Sequence, residues 1–245
     1  MKIKILGNSG AFPHNNPCSG YLIEGKKDKI LIECGSGVVL KLKEHCSVDQ
    51  LSGIIISHLH WDHLSDLMPL RYEVDYLQAE GRIKNPLALY CPDEPREIYE
   101  LLPYKNTLNI IAIDSDNTIT LNELQIKFFE VKHPVKCFGI NVFEQGEKKV
   151  CYSSDTEYFL TILNEAKGAH LFICESTALK KDEPQLTGHL SGPQAANIAK
   201  QAGVSCLGLT HFWPYYDSKK ILEEARESCP DLKIVLLNPG DEITI

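Results

Sequence analysis

His58-Leu59-His60-Trp61-Asp62-His63 places three imidazoles and one carboxylate within six consecutive residues. The segment directly follows Gly53-Ile54-Ile55-Ile56-Ser57, whose apolar and β-branched residues predict a short buried strand. Residues i and i+2 of an extended chain share one face, so His58 and His60 can point at one spot while Asp62 and His63 turn toward a second. Imidazole suits zinc, iron, nickel and copper, and carboxylate adds a harder ligand. Four such side chains at a strand end predict a site for two adjacent divalent metal ions.

The composition is that of an ordinary globular protein. The chain has 245 residues, of which 43% are hydrophobic and 24% are charged. No apolar stretch approaches the roughly 20 residues of a membrane span, and the alternating residues 1–7 predict a first strand rather than a signal peptide. The net charge is −8 and the basic residues occur mostly as isolated pairs. The chain therefore lacks the basic surface of a nucleic-acid binder.

The cysteines indicate a reducing compartment. There are nine of them, an odd number, and no two show C-x-x-C spacing. Several, such as Cys151 and Cys174, lie inside apolar runs. Buried, reduced thiols explain this pattern better than a disulfide framework or a thiolate metal site. We therefore expect a cytoplasmic protein.

The order of predicted elements indicates a mixed α/β fold. No repeat, low-complexity tract or Pro/Gly/Ser-rich linker interrupts the chain, so we expect residues 1–245 to form one domain. Short strands dominate the first 155 residues, and helices are predicted over 36–45, 63–80, 94–102, 157–166, 192–202 and 218–229. This pattern predicts helices that cover two sheets, whose strand-end loops meet at one edge.

Three further candidate ligands follow predicted strands, namely His133, Asp155 and His211. Each of them alone is as often a turn or cap residue. An open two-metal cluster, however, needs more ligands than residues 58–63 supply. Because all three lie at strand ends, they are the expected source of those ligands.

The ordered set of histidines and aspartates resembles the metallo-β-lactamase superfamily over nearly the whole chain. Shorter motifs resemble its tRNase Z-like branch. In chain order they are residues 6–13 for the opening loop, 32–37 for D-C-G-E-G with Glu33 in place of Asp, 154–156 for G-D-T, 174–177 for H-E-A-T, 189–191 for H-S-T and 209–211 for L-T-H.

The resemblance implies a four-layer αββα sandwich, the metallo-β-lactamase fold, that carries two divalent metal ions. Zinc is the usual metal, while manganese and iron accept the same ligands. By resemblance, one metal takes His58, His60 and His133, the other takes Asp62, His63 and His211, and Asp155 bridges them together with a hydroxide. Two ions about 3.5–4 Å apart activate such a hydroxide as nucleophile and polarise the bond under attack.

The same resemblance implies a hydrolase with Asp62 and His189 as catalytic side chains. His189 lies in the loop before the helix predicted over 192–202, and its match to H-S-T makes it the candidate general acid for the leaving oxygen. Whether Glu175 orients His189, and whether Trp213 lines the pocket, stays open at this point.

One departure from the branch bears on the substrate. Bacterial tRNase Z enzymes carry a long tRNA-gripping arm between the ligands that correspond to His133 and Asp155, but only 21 residues separate them here. The missing arm and the acidic charge favour a phosphodiesterase whose partner is a small cyclic phosphate or nucleotide, and disfavour long RNA. A tRNase Z-like RNA endonuclease, a lactone or thioester hydrolase and a metal-dependent binding protein remain as alternatives. Relatives often dimerise, so a homodimer is also an open expectation.

Overall fold

Two seven-stranded sheets face each other in the computed structural model, which describes all 245 residues. The strands are β1 (Lys2–Gly7), β2 (Gly20–Glu24), β3 (Lys29–Ile32), β4 (Gly53–Ile55), β5 (Leu87–Cys91), β6 (Leu108–Ala112), β7 (Thr118–Thr120), β8 (Leu124–Glu130), β9 (Phe138–Glu144), β10 (Glu147–Tyr152), β11 (Leu171–Glu175), β12 (Cys206–Thr210), β13 (Ile234–Leu236) and β14 (Glu242–Thr244). The helices are α1 (Val38–Leu42), α2 (Trp61–Leu64), α3 (Leu67–Ala79), α4 (Arg96–Tyr99), α5 (Ile162–Ala166), α6 (Gly192–Ala202) and α7 (Ser218–Ser228).

The two sheets have related strand orders. The first runs β14-β1-β2-β3-β4-β5-β6, and the second runs β13-β12-β11-β10-β9-β8-β7. Strands β3 to β6 are parallel in the first sheet, and β10 to β13 are parallel in the second. Parallel neighbours need crossover connections. Those connections contain the helices, which cover the outer faces of both sheets.

Alternating side chains build three layers of core. Ile30 and Ile32 of β3 lie in the central layer between the sheets, whereas Leu31 faces the helices. The central layer holds 20 buried residues and each outer layer holds 21. Burying a large aliphatic side chain contributes roughly 1.5–3 kcal/mol, so the strands are anchored from both faces. The predicted αββα sandwich is confirmed.

Helix α6 has the predicted bounds, whereas the helix predicted over 63–80 is divided into α2 and α3. Ser191 caps α6 by accepting from the backbone N–H of Gln194, and Gly203 ends the helix in the left-handed conformation. Pro69 lies in the first turn of α3, where the missing N–H breaks no helical hydrogen bond. It therefore causes no kink within the helix.

The helix predicted over 157–166 is shorter in the structure and begins only at Ile162. The backbone N–H of Glu157 donates to the carbonyl of Lys132 at 2.8 Å, and its carboxylate accepts from the N–H of Gly188 at 2.9 Å. These contacts hold Glu157 against two loops of the candidate site. A helix starting at Glu157 would break them.

No helix in the structure combines the length and the apolar character that crossing a bilayer requires. All nine cysteines are free, and eight of them are buried. The expectation of unpaired, mostly buried thiols is confirmed.

Candidate metal centre

The seven predicted ligands meet at one edge of the sandwich. They come from the segments that follow four strands: His58 and His60 in the loop after β4, Asp62 and His63 in the adjoining helix α2, His133 after β8, Asp155 after β10, and His211 after β12. Because both sheet faces are packed, these strand ends are rigid supports. The structure thus brings together every residue that the sequence proposed as a ligand.

The first group of donors consists of three imidazoles and one carboxylate. Nε2 of His58 lies 3.0 Å from Nδ1 of His60, and Nε2 of His133 lies 3.1 Å from that same atom. Oδ2 of Asp155 is 3.7 Å from His58 Nε2. Neutral imidazole nitrogens and carboxylate oxygens that converge on one point are the donor set of a divalent cation.

The second group lies beside the first and uses the same carboxylate. Nε2 of His63 and Nε2 of His211 are 3.4 Å apart. Oδ2 of Asp155 lies 3.4 Å from the former and 3.3 Å from the latter. Oδ2 of Asp62 lies 3.3 Å from the same His211 nitrogen and accepts from the backbone N–H of Ala11 at 2.7 Å. Asp155 is therefore shared by both groups.

The state of Asp155 supports a fit to two cations. Its side chain is 2% exposed, and Oδ1 is buried without a hydrogen-bond partner. A buried carboxylate is costly unless cations or donors surround it. Oδ2 of Asp155 lies within 3.7 Å of imidazole nitrogens from both groups. Two divalent ions held by those nitrogens would offset the buried negative charge, so the donors present fit the predicted centre.

The pKa of His63 is shifted in the opposite direction from those of His58, His60 and His133. Burial lowers the pKa of His58, His60 and His133, so these rings are neutral. Burial also acts on His63, but the Asp155 and Asp62 carboxylates raise its pKa well above the usual value. A metal ion bound at this position would take the place of that proton.

The carboxyl groups of Asp62 and Asp155 have lowered pKa values. Burial alone would raise the pKa of both carboxyls. The neighbouring imidazoles, with His63 foremost for Asp62 and His211 foremost for Asp155, hold both values well below the ordinary range. Both side chains are thus carboxylate anions at neutral pH, the form that could hold a metal ion.

A second ring of groups holds the far nitrogens of the imidazoles. His63 is the exception, because its Nδ1 is buried 3.5 Å from Glu33 Oε1 and makes no hydrogen bond. In three of the other rings, His133 Nδ1 donates to the Gly188 carbonyl at 2.9 Å, His58 Nδ1 lies 3.0 Å from Ser57 Oγ, and His211 Nδ1 lies 2.9 Å from Thr177 Oγ1. Such partners orient the rings and leave Nε2 free to bind a metal.

Sequence reasoning missed most of these partners. Thr177 could have been found, because it directly follows Glu175 in the segment that matches H-E-A-T. The Gly188 carbonyl could not, since no side chain marks it. Glu33 was noticed only for replacing the usual Asp. It is completely buried, and both its carboxylate oxygens lie 3.3 Å from the backbone N–H of Ser57.

The backbone is strained where it turns into the site. Glu33, Ser154 and His211 have φ values of 61°, 53° and 57°, in the left-handed region that non-glycine residues avoid. Such residues are unfavourable by about 1–3 kcal/mol each and concentrate at functional sites. Gly10 permits close packing, because a Cβ there would lie 2.7 Å from the His211 ring.

His189 lies beside the ligands. Its ring centroid is 5.4 Å from those of His133 and His211, and its side chain is 26% exposed. Nδ1 donates to Oε1 of Glu175 at 3.0 Å. Burial alone would lower the pKa of His189, but the Glu175 carboxylate raises it to about 9. This raised pKa favours the protonated imidazole at neutral pH, and Nδ1 is the ring nitrogen that Glu175 engages.

Glu175 connects the loops around His189. Besides His189, its fully buried carboxylate accepts from the backbone N–H of Thr156 at 2.7 Å, the Thr177 hydroxyl at 2.8 Å and the N–H of Leu190 at 3.1 Å. These bonds answer one question that the sequence left open, because Glu175 orients His189. The other is answered by Trp213, which lines a pocket together with His189.

Comparison with known proteins identifies the family. A model of the beta-lactamase superfamily domain matches residues 28–212. The chain belongs to the metallo-β-lactamase superfamily. YhfI of Bacillus subtilis (strain 168), described as a probable metallo-hydrolase, is 30% identical over 227 residues, which cover 92% of this chain and 93% of YhfI. The crystal structure of B. subtilis YhfI superposes with a TM-score of 0.91 at 28% identity, and the match covers 99% and 98% of the two chains.

The tRNase Z-like branch is confirmed as well. Ribonuclease Z of Borreliella burgdorferi (strain ZS7) is 29% identical over 308 aligned positions, which cover 98% of this chain and 95% of that protein. Human tRNase Z, short form, superposes with a TM-score of 0.78 at 22% identity, covers 100% and 99% of the two chains, and shows the shared fold. This superfamily member is therefore a metallo-hydrolase whose fold implies divalent metal ions.

Proposed function

We propose that this superfamily member is a dinuclear metal-dependent phosphodiesterase that acts on a small cyclic phosphate or nucleotide. The observation that carries the proposal is the position of His189, which a buried carboxylate orients directly beside both donor groups. Cleavage of a P–O bond places negative charge on a leaving oxygen. A positioned proton donor at that oxygen contributes roughly 10²–10⁴-fold to the rate.

The seven clustered side chains would hold two ions, in two groups that share Asp155. Zinc is the proposed metal, and manganese and iron are the alternatives that the same donors accept. Bound divalent ions supply Lewis-acid polarisation of the phosphoryl group and lower the pKa of water. The nine free thiols support a cytoplasmic location.

The remaining steps fall to the side chains of the protein. His189 donates the Nε2 proton to the leaving oxygen, while Glu175 holds the Nδ1 proton and keeps the ring in position. Asp62 is proposed both as a ligand and as the carboxylate that orients the attacking water. Its Oδ2 is fixed by the N–H of Ala11.

The connection between His133 and Asp155 supports a small substrate. It contains β9 and β10, which pair with each other and turn at Gln145 and Gly146, so it offers no projecting arm for tRNA. The alignment with ribonuclease Z spans 308 positions, more than the 245 residues of this chain, so that relative contains insertions that are absent here.

Two alternatives remain as proposals of lower rank. The 29% identity to ribonuclease Z supports an RNA endonuclease, which would bind RNA with a steep dependence on salt concentration. A lactone or thioester hydrolase would use the same donors and lose far less activity without His189.

The decisive experiment combines metal analysis with a substrate panel on one preparation. The panel contains bis(p-nitrophenyl) phosphate, nucleoside 2′,3′-cyclic phosphates, a lactone, a thioester and a tRNA precursor. We expect two metal equivalents per chain and phosphodiester hydrolysis that disappears in His60→Ala but persists in His45→Ala, a control histidine outside the site. A metal-replete enzyme that cleaves only the lactone, the thioester or the RNA would overturn the proposal.

A further inference from the structure

A pocket of about 270 Å³ opens beside the candidate metal centre. Two of its lining side chains belong to that centre, namely His189 and Thr177, whose hydroxyl lies 2.9 Å from His211 Nδ1. The rest of the wall consists of Ala178, Asp182, Gln185, Leu186, Trp213 and Tyr216. A substituent of a phosphate ester that extends past His189 therefore enters this pocket.

The size of the pocket limits what it can hold. Sites for drug-sized ligands measure roughly 300–1,000 Å³, and this pocket lies just below that range. It accommodates one compact group of a substrate, such as a single ring system. It does not accommodate an oligonucleotide.

One wall of the pocket is a fixed aromatic ring. The backbone N–H of Trp213 donates to the carbonyl of Thr177 at 3.2 Å, and the Phe12 ring packs against the indole at 5.7 Å with an interplanar angle of 80°. The indole is 37% exposed. An aromatic ring that is fixed in position and partly exposed can stack on a planar heterocycle.

On the side away from Thr177 and His189, the polar groups of the pocket are the Asp182 carboxylate, the Gln185 amide and the Tyr216 hydroxyl. Asp182 and Gln185 belong to the 3-10 turn Lys180–Gln185, and Oδ2 of Asp182 accepts from the backbone N–H of Leu179 at 3.2 Å. A carboxylate repels phosphate, so the phosphate of a substrate belongs at the metal centre. The nearby Lys181 ammonium lies over the Tyr216 ring at 5.5 Å and is not part of the lining.

The Asp182 carboxylate and the Gln185 amide also determine which uncharged groups the pocket can bind. An alkyl chain would remove water from Asp182 without replacing its hydrogen bonds, which is unfavourable. An amino group on a flat ring donates to a carboxylate, and an amide can both donate and accept, as in the recognition of cytosine and adenine edges. Aromatic stacking together with these acceptors matches a nucleobase better than a sugar or an acyl chain.

We propose that this pocket binds the base of a nucleotide ester and favours bases that carry an exocyclic amino group. The proposal rests on the proposed phosphodiesterase function and names its substrate class. Trp213 stacks on the base, Asp182 and Gln185 contact its amino edge, and His189 marks the boundary between base and phosphate.

The kinetic test compares matched substrates. These are the 2′,3′-cyclic phosphates of cytidine and uridine, which differ at the amino position, and of methyl riboside, which has no base. Bis(p-nitrophenyl) phosphate reports the metal chemistry alone. We expect kcat/KM to be roughly tenfold or more higher for cytidine than for methyl riboside, because stacking and a charged hydrogen bond both contribute.

Variants assign that preference to the pocket. Asp182→Ala should lower the ratio of kcat/KM for the cytidine ester to kcat/KM for the methyl riboside ester roughly tenfold. Trp213→Leu should lower the corresponding ratio roughly tenfold for both base-bearing esters. Asp116→Asn and Tyr76→Leu, in an exposed loop and on an exposed helix face, should change nothing. Thermal melting checks that each variant is folded.

A binding experiment separates the two proposals. Quenching of tryptophan fluorescence by cytidine 5′-monophosphate should be seen with wild type, disappear in Trp213→Leu, and need about tenfold more ligand in Asp182→Ala. If bis(p-nitrophenyl) phosphate is cleaved but base-bearing and base-free esters react equally, the base pocket is wrong and the phosphodiesterase stands. If no phosphodiester is cleaved, the proposed function fails and this titration decides the pocket. Equal binding to wild type and Asp182→Ala then overturns it.

Discussion

The candidate metal centre and the proposed base pocket both include His189, but the two regions are built in opposite ways. The predicted ligands His58 and His63 are fully buried, in the loop and helix α2 that directly follow strand β4. The pocket is lined by a 3-10 turn and loops, and its aromatic wall at Trp213 is 37% exposed. The side chains predicted to bind metal, which must be placed accurately, thus lie in the rigid interior. The side chains proposed to determine substrate specificity lie on surface segments whose sequence can vary without displacing a predicted ligand.

The largest effect should come from Asp155, the carboxylate that both donor groups share. Asp155→Ala removes the donor that both groups share, together with the negative charge that would offset the repulsion between two neighbouring cations. We expect loss of both metals by elemental analysis and a loss of activity well beyond the roughly 10–100-fold attributed to outer partners of metal ligands. Asp116→Ala is the matched control. An Asp155→Ala protein that still binds two metal ions tightly would contradict the claim that Asp155 is a ligand shared by both metals.

The next effect concerns His189, which belongs to both regions. His189→Ala should lower kcat for a phosphodiester by about 10²–10⁴-fold, since a general acid is lost, while the metal content stays at that of wild type. Steady-state kinetics together with metal analysis provide the readout. Loss of metal in this variant would show that His189 is a ligand and not a proton donor.

A pH profile examines how Glu175 controls His189. The pKa of His189 is raised to about 9, so the protonated form is present below that pH and the rate should fall as the pH rises through it. In Glu175→Gln the raising charge is absent, and the basic limb of kcat should move toward or below the usual histidine value of about 6.5. A basic limb that stays in place would rule out His189 as the titrating acid.

The smallest expected change tests an outer partner of the metal centre. Thr177→Val keeps the shape of the side chain but removes the oxygen that lies 2.9 Å from His211 Nδ1. We expect metal affinity to fall by roughly 10–100-fold, as measured by competition with a chromophoric chelator. Thr120→Val, on an exposed strand face, should match wild type.

The sequence predicted the fold and the candidate metal ligands better than it predicted the pocket and the loops around it. Segment 58–63 concentrates three histidines and an aspartate, a combination typical of a metal site. His133, Asp155 and His211 follow strands whose ends lie at the same edge of the sandwich. The mixed α/β class follows from the order of elements, whereas the four-layer sandwich was implied by the resemblance to the superfamily. These features depend on patterns within short stretches of chain.

What the sequence could not predict depends on contacts between distant segments. Glu157 leaves its predicted helix because it bonds to Gly188, 31 residues away. The Gly188 carbonyl that orients His133 has no side-chain signal. The pocket exists only because the 3-10 turn Lys180–Gln185 comes close to Trp213. Tertiary contacts of this kind leave little trace in local periodicity.

Anomalous diffraction from crystals soaked with zinc or manganese tests the two-metal claim most directly. We predict two peaks on either side of Oδ2 of Asp155, one among His58, His60 and His133 and the other among Asp62, His63 and His211. A single peak, or peaks that leave Asp155 uncoordinated, would contradict the account.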